Sequence, residues 1–183
     1  MLVLIVGPSG AGKDTLLAAA RDQLGEDHRF RFVRRVITRP PGVVGEEYDS
    51  LTPREFELQR SSGGFALSWR AHGLHYGIPA DIALDLAQGR VVVVNVSRAI
   101  VAEAAQRFPV QVVEIRAPAD LIARRLAARG REDAVDVARR LARQIELPLP
   151  VEREIVMNDG TIAEGARRLV AVLTRVAGGV PSG

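Results

Sequence analysis

The sequence predicts an α/β fold: a mostly parallel sheet with helices on both faces. Three observations carry this. The apolar run LVLIV, Leu2–Val6, leads into the glycine-rich stretch GPSGAGKD and then a helical pattern from Lys13 to Leu24. Further apolar runs at Val91–Val94 and Val110–Ile115 are separated by segments of helical periodicity. Hydrophobic residues make up 47% of the 183 positions, enough for one full core in a single domain spanning 1–183. Continuous apolar runs read as strands buried on both faces, and strands alternating with helices pair in parallel.

The remaining elements follow in order. Arg31 to Ile37 reads as a second strand, and TRPPGVVGEEYDSL as a long functional loop. Thr52 caps a helix to Arg60, with Pro53 at its first position and Glu55 completing a capping box. Phe65–Trp69 and His75–Ile78 are short extended pieces around the turn AHG, and a helix runs from about Pro79 to Gly89. Together, about 38–80 reads as a small acceptor lobe. Ala99–Phe108 is helical, and Pro118 opens a helix through about Arg129. A last short strand closes on Met157-Asn158-Asp159-Gly160, and Thr161 to Glu164 caps a final amphipathic helix. The tail, about 178–183, is expected to fray.

Parallel α/β sheets bind ligands at the carboxyl ends of their strands, which puts GPSGAGKD and Asn95-Val96-Ser97-Arg98 on one side. GPSGAGKD fits seven of the eight positions of the phosphate loop G-x-x-x-x-G-K-[ST], in which backbone N–H groups cradle phosphates and the lysine reaches them. Of the 25 basic residues, Lys13 is the only lysine, a compact point charge kept where a tight loop must meet phosphate. Asp14 stands where a hydroxyl usually holds Mg²⁺, with Thr15 one place on, so the metal contact is open between them. A carboxylate suits Mg²⁺, a cation of hard oxygen ligands.

Composition excludes several chemistries. With no cysteine there are no disulfides, no thiol catalysis and no Cys-bound zinc, and three scattered histidines argue against a histidine-built metal site. A formal charge of +3, with cations spread along the chain and few aromatics, points away from nucleic acid and toward anionic small molecules. MLVLIV is too short for a signal peptide's apolar region, and no run approaches a membrane span, so a cytoplasmic protein without a membrane partner is expected. Oligomeric state is not legible.

Between Leu121 and Gln144 seven arginines surround Gly130 and the acidic stretch EDAVD. Such a pair of helices can be a solvated charged surface, or a lid over 129–143 that brings cations to a transferring phosphoryl group. In the lid reading Arg129, Arg140 and Arg143 are the catalytic arginines beside Lys13.

Taken in order, GPSGAGK, ITR, GEEY, FALSW with HYG, the RG and ARRL of the arginine segment, and NDG resemble the guanylate-kinase-like branch of P-loop kinases. The resemblance implies a P-loop fold, ATP with Mg²⁺ as phosphoryl donor, and a phosphorylated acceptor. On the donor side it implies Gly7, Pro8, Ser9, Gly10, Ala11 and Gly12, with Lys13, Asp14 and Thr15, and further along Arg129, Asn158 and Asp159. On the acceptor side it implies Arg35, Thr38 and Arg39, with the hydroxyls of Tyr48 and Tyr76.

Departures from guanylate kinase run in one direction. Gly42 falls near the second phosphate-gripping arginine of TRxPRxGE, Leu67 falls where a carboxylate reads the guanine edge, and Asn95-Val96-Ser97 replaces the acidic DID, followed by Arg98. A leucine there would leave the base edge unpaired, so a nucleotide acceptor is disfavoured. Leu67, Asn95, Ser97 and Arg98 instead suit a small phosphorylated sugar. GKD, ALSW, GLHYG and NVSR are similar to the ribose 1,5-bisphosphate phosphokinase (PhnN) family of phosphonate degradation. That resemblance implies ATP plus ribose 1,5-bisphosphate giving ADP and 5-phosphoribosyl 1-diphosphate. A nucleoside monophosphate kinase of divergent specificity and a non-catalytic phosphopeptide-binding module are the alternatives. Trp69 reads as a packing residue.

Overall fold

The computed structural model describes residues 1–40, 47–128 and 152–179. A five-stranded parallel sheet forms the centre, with strand order β2-β7-β1-β8-β9. Its strands are β1 (Leu2–Val6), β2 (Phe30–Phe32), β7 (Val91–Asn95), β8 (Val110–Arg116) and β9 (Arg153–Met157). Alternation along β1 divides the core. Val3 and Ile5 pack with Leu16, Ala20, Leu169 and Leu173 under α1 (Lys13–Leu24) and the final helix α6 (Ile162–Gly178). Leu2, Leu4 and Val6 face the other way, onto Ile82, Val101 and Ala104 of α3 (Ile82–Ala87) and α4 (Val101–Arg107). All five β1 side chains are fully buried, as a strand covered by helices on both faces requires.

A second sheet, ordered β4-β3-β6-β5, stands beside the first. It comprises β3 (Arg35–Ile37), β4 (Tyr48–Ser50), β5 (Phe65–Ala71) and β6 (Leu74–Pro79), with α2 (Pro53–Ser61) between β4 and β5. Leu67 and Ile78 of this sheet join the core cluster of Leu4, Val94 and Val96, so the two sheets share one hydrophobic seam. Phe56 of α2 stacks on Phe65, with ring centroids 4.5 Å apart, which fixes the helix on its sheet.

Several boundaries differ from those read in the sequence. The strand expected over Arg31–Ile37 is two strands in different sheets, because the chain leaves the central sheet after Phe32 and enters the second at Arg35. The long loop ends in β4. The helix expected from Pro79 starts at Ile82, since Pro79 still belongs to β6. Arg98–Ile100 forms a 3₁₀ turn before α4, capped by Ser97, whose Oγ accepts from the Ala99 N–H at 3.3 Å. The last helix runs through Gly178, and 180–183, the rest of the tail expected to fray, lie outside the described residues. Both expected capping boxes are present, Thr52 with Glu55 and Thr161 with Glu164. Among the described residues no helix is long and apolar enough to cross a membrane.

Candidate active site

The glycine-rich loop joins the carboxyl end of β1 to the amino end of α1. Its backbone needs its glycines. Gly10 and Gly12 have φ of 82° and 89°, and a side chain on Gly12 would meet Asn158 Nδ2 at 2.4 Å. Gly12 caps α1 in the left-handed conformation without a side-chain capping hydrogen bond, which leaves the first N–H groups of the helix to an anion. Lys13 Nζ donates to the carbonyls of Gly7 and Pro8, both at 2.8 Å, and so is curled over the loop. The Ala11 N–H closes the turn on Pro8 O at 3.2 Å. Ser9 lies half-buried at its bend.

The loop is braced from two sides. Asn158, 3% exposed, donates through Nδ2 to the Ala11 carbonyl at 2.7 Å. Arg125 of α5 (Ala119–Ala128) donates to the same carbonyl at 3.3 Å, and Ile122 and Leu126 of that helix pack against Gly10. Asp159, expected beside the nucleotide, is held by Arg168 at 2.6 Å, and this hydrogen bond keeps its carboxyl below the usual range.

Asp14 opens onto a cavity of about 380 Å³, lined also by Thr15, Arg21, Arg34, Arg35, Glu47 and Asn95. Asn95, at the carboxyl end of β7, donates to Asp14 Oδ1 at 2.7 Å, and Arg35 Nη2 lies 3.6 Å from the same oxygen. Asn95 is 6% exposed, and its Oδ1 is buried without a hydrogen-bond partner. At the mouth of the cavity Glu47 accepts from Arg21, one bond at 2.8 Å, with Arg34 at 3.3 Å. The Arg21 hydrogen bond, supported by both cations, holds the Glu47 carboxyl below its ordinary value.

The other acceptor-side residues cluster on the second sheet. Arg39 lies over the Tyr48 ring, at 5.7 Å from its centroid, and the Tyr48 hydroxyl donates to Pro40 O at 2.6 Å. Thr38 staples β3 to β6: its Oγ1 accepts from the His75 N–H at 2.9 Å, and its own N–H donates to His75 O at 3.1 Å. Tyr76 stacks on Trp69 at 5.3 Å, with the Arg35 guanidinium 5.9 Å from its centroid. Trp69 itself packs against the core. Leu67 is 1% exposed and belongs to the core, so this position contributes an apolar wall from behind and no polar reader.

Arg98 is turned toward Glu114, a carboxylate 2% exposed that also meets Arg116 at 2.9 Å and Arg153 at 2.7 Å. Burial pushes the Glu114 carboxyl up. The Arg116 hydrogen bond and the charges of Arg98, Arg116 and Arg153 outweigh it, and the net direction is down. Arg129, Arg140, Arg143 and Gly42 lie outside the described residues.

The sequence reading missed Arg125, the Asn95–Asp14 hydrogen bond and the Arg21–Glu47–Arg34 group. The spacing of Arg125 three residues after Ile122, on one helix face, was the available signal for the first.

No protein-family model matches the chain. It is 52% identical over 165 residues to the ribose 1,5-bisphosphate phosphokinase PhnN of Acidiphilium cryptum, covering 90% of this chain and 87% of that protein. It is 49% identical to the PhnN protein of Methylobacterium radiotolerans, over 94% of this chain and 96% of that one. Among solved structures, guanylate kinase from Anaplasma phagocytophilum matches with a TM-score of 0.70 over 96% of this chain and 85% of that one. At 17% identity that likeness speaks to the fold, which is the guanylate-kinase-like P-loop fold. With a phosphate loop braced at the carboxyl edge of a parallel sheet, and this degree of identity over nearly its whole length, the chain belongs to the ribose 1,5-bisphosphate phosphokinase PhnN family of kinases.

Proposed function

We propose that the protein is a cytoplasmic enzyme that transfers the γ-phosphoryl group of ATP to the 1-phosphate of ribose 1,5-bisphosphate. An oxygen of the 1-phosphate forms the new P–O bond as the bond to the ADP oxygen breaks, giving 5-phosphoribosyl 1-diphosphate. The nucleophile is already an anion, so no general base is required, and the site's work is positioning and charge stabilisation.

The observation that carries this reading is the cavity beside the phosphate loop. Three arginines, Arg21, Arg34 and Arg35, face two carboxylates, Asp14 and Glu47, while the position that would read a guanine edge is the core residue Leu67. An acceptor bearing two phosphates suits such a wall better than a base does.

The chain's own residues divide the task. Backbone N–H groups from Gly10 to Thr15 hold the donor phosphates, and Lys13 exchanges its carbonyl partners for phosphate oxygens. Arg39 and Tyr48 grip acceptor phosphate, with Arg35 behind them. Arg129, Arg140 and Arg143 meet the charge that spreads over the transferring group.

Asp14 and the partnerless Asn95 Oδ1 are hard oxygens that fit Mg²⁺. Mg²⁺ is commonly held by one or two protein oxygens together with substrate phosphates, which is the share these two residues would supply. When bound, Mg²⁺ supplies neutralisation of phosphate charge.

The test offers the purified protein ATP and Mg²⁺ with ribose 1,5-bisphosphate, ribose 5-phosphate, GMP and AMP separately, and identifies the product. Phosphorylation of the bisphosphate alone is the expected result. Comparable kcat/KM for GMP would overturn the reading in favour of a nucleotide kinase.

A further inference from the structure

P-loop enzymes hold Mg²⁺ between a serine or threonine on the phosphate loop and an aspartate at the end of a neighbouring strand. Here the loop position is Asp14 and the strand-end position is Asn95, the last residue of β7, in register with Ile5 of β1. The two side chains meet directly, Asn95 Nδ2 donating to Asp14 Oδ1 at 2.7 Å. We propose that Asp14 and Asn95 form an exchanged metal pair, in which the single carboxylate has moved from the strand to the loop and the neutral partner from the loop to the strand. The proposal rests on the reading of this loop as the site of ATP and Mg²⁺.

Three features support the exchange. The pair carries one negative charge, as the usual hydroxyl and carboxylate do, so the charge presented to the cation is conserved while its origin changes. Asn95 is nine-tenths buried and cannot swing away, and its amide fixes the Asp14 rotamer while leaving the carboxylate further lone pairs for a cation. Its own Oδ1 is buried without a partner, which is costly for a polar atom unless something else meets it. Asn95 thus serves the metal side of the site, fixing Asp14 through its amide nitrogen and offering Oδ1 to the cation, rather than reading the acceptor. Aspartate at 95 beside Asp14 would set two carboxylates at hydrogen-bonding distance, so each residue explains the identity of the other.

A four-protein cycle tests this: wild type, Asp14→Asn, Asn95→Asp and the double exchange, in which the pair carries one, two, no and one amide. The readout is binding of ADP with and without Mn²⁺ by calorimetry, with free Mn²⁺ followed by its electron paramagnetic resonance signal, and no acceptor present. Asp14→Asn should weaken the Mn²⁺-dependent tightening of ADP by at least about 10-fold, the scale on which metal affinity responds to a lost partner. Asn95→Asp alone should lower the thermal midpoint, and Mn²⁺ with ADP should restore it. The double exchange should recover the tightening to within about threefold of wild type, a strong departure from additivity.

A double exchange no better than Asp14→Asn, or an Asp14→Asn protein with unchanged Mn²⁺ dependence, overturns the exchange while leaving the nucleotide site standing. Failure of the wild-type protein to bind ADP at all overturns the loop reading, and the exchange with it. If Asn95→Asp does not fold alone, Asp14→Ser with Asn95→Asp recreates the usual pair. Binding as weak as that of Asp14→Ser would then be the refuting result.

Discussion

Asn158 and Ala11 are 147 residues apart in the chain, yet the Asn158 side chain donates to the Ala11 carbonyl at 2.7 Å, from beneath the phosphate loop. The bond ties the end of β9 to the loop after β1, two segments that share no strand pairing. Asn158 Nδ2 also sits where a Cβ on Gly12 would fall, so the amide and the glycine are mutually fitted. The loop's shape is thus held by a residue from the far end of the sequence.

Replacing Asn158 with alanine should therefore loosen the loop without removing any group that meets phosphate. Loss of one buried hydrogen bond costs about 1–3 kcal/mol. The expected result is a folded protein with a lower thermal midpoint and a KM for ATP raised about 10-fold or more, the acceptor KM changing less. Steady-state kinetics with each substrate varied in turn would check this, and an unchanged KM for ATP would leave Asn158 a purely structural residue.

Lys13→Ala should abolish phosphoryl transfer while sparing the fold. Its ammonium donates to the Gly7 and Pro8 carbonyls of its own loop, and the side chain is not part of the hydrophobic core. The transferring group would lose its fixed cation, and loss of one such electrostatic contact costs roughly 10²–10³ in kcat or more. Product formation in a discontinuous assay, alongside circular dichroism, separates lost catalysis from lost structure.

Glu114 makes stability acid-sensitive. Its folded carboxyl titrates below the ordinary value of 4.5, so the ionised form stabilises the fold above that pH, and the contribution fades as pH falls through the lowered folded value. Glu114→Gln places three guanidiniums around a neutral amide and should destabilise the protein by about 3 kcal/mol near neutrality, as breaking a buried charge network does. The gap in thermal midpoint between variant and wild type should narrow as pH falls from 6 to 3. A gap independent of pH would show that the carboxylate's charge is not what the arginines require.

The parts of this fold that were legible in the sequence are those with local signatures. LVLIV followed by GPSGAGKD fixes strand, loop and helix from adjacent residues, and both capping boxes are written within four positions. Partition between sheets was not legible: Phe30–Ile37 is one apolar-rich run, and only tertiary pairing sends Phe30–Phe32 to β7 and Arg35–Ile37 to β4 and β6. Alternation records which face a residue takes and not which sheet receives it. The braces on the phosphate loop were hidden for the same reason, since Asn158 and Arg125 reach Ala11 across 147 and 114 residues. The pairing of Arg98 with Glu114 was hidden too, since Glu114 lies on a strand whose apolar run gives no hint of a buried charge network.

The pairing of Arg98 with Glu114 changes what Arg98→Ala should do. An arginine that only gripped the sugar phosphate would raise the acceptor KM and leave stability alone. Its guanidinium is instead largely buried against Glu114, one strand over from the loop, in a cluster completed by Arg116 and Arg153. Removing it takes one of three cations from a buried carboxylate, and the cost should sit near the low end of the range for a broken buried pair, about 3 kcal/mol. For a chain of this length that is a fall of roughly 6–12 °C in thermal midpoint. Arg98→Ala together with Glu114→Gln should then be much less than additive, because each single variant removes the same interaction. Melting curves of the four proteins, with the acceptor KM measured on each, separate the two roles. Additive losses in stability with a raised acceptor KM would return Arg98 to the substrate, whereas strong coupling with an acceptor KM near wild type assigns it to the sheet edge beneath the phosphate loop.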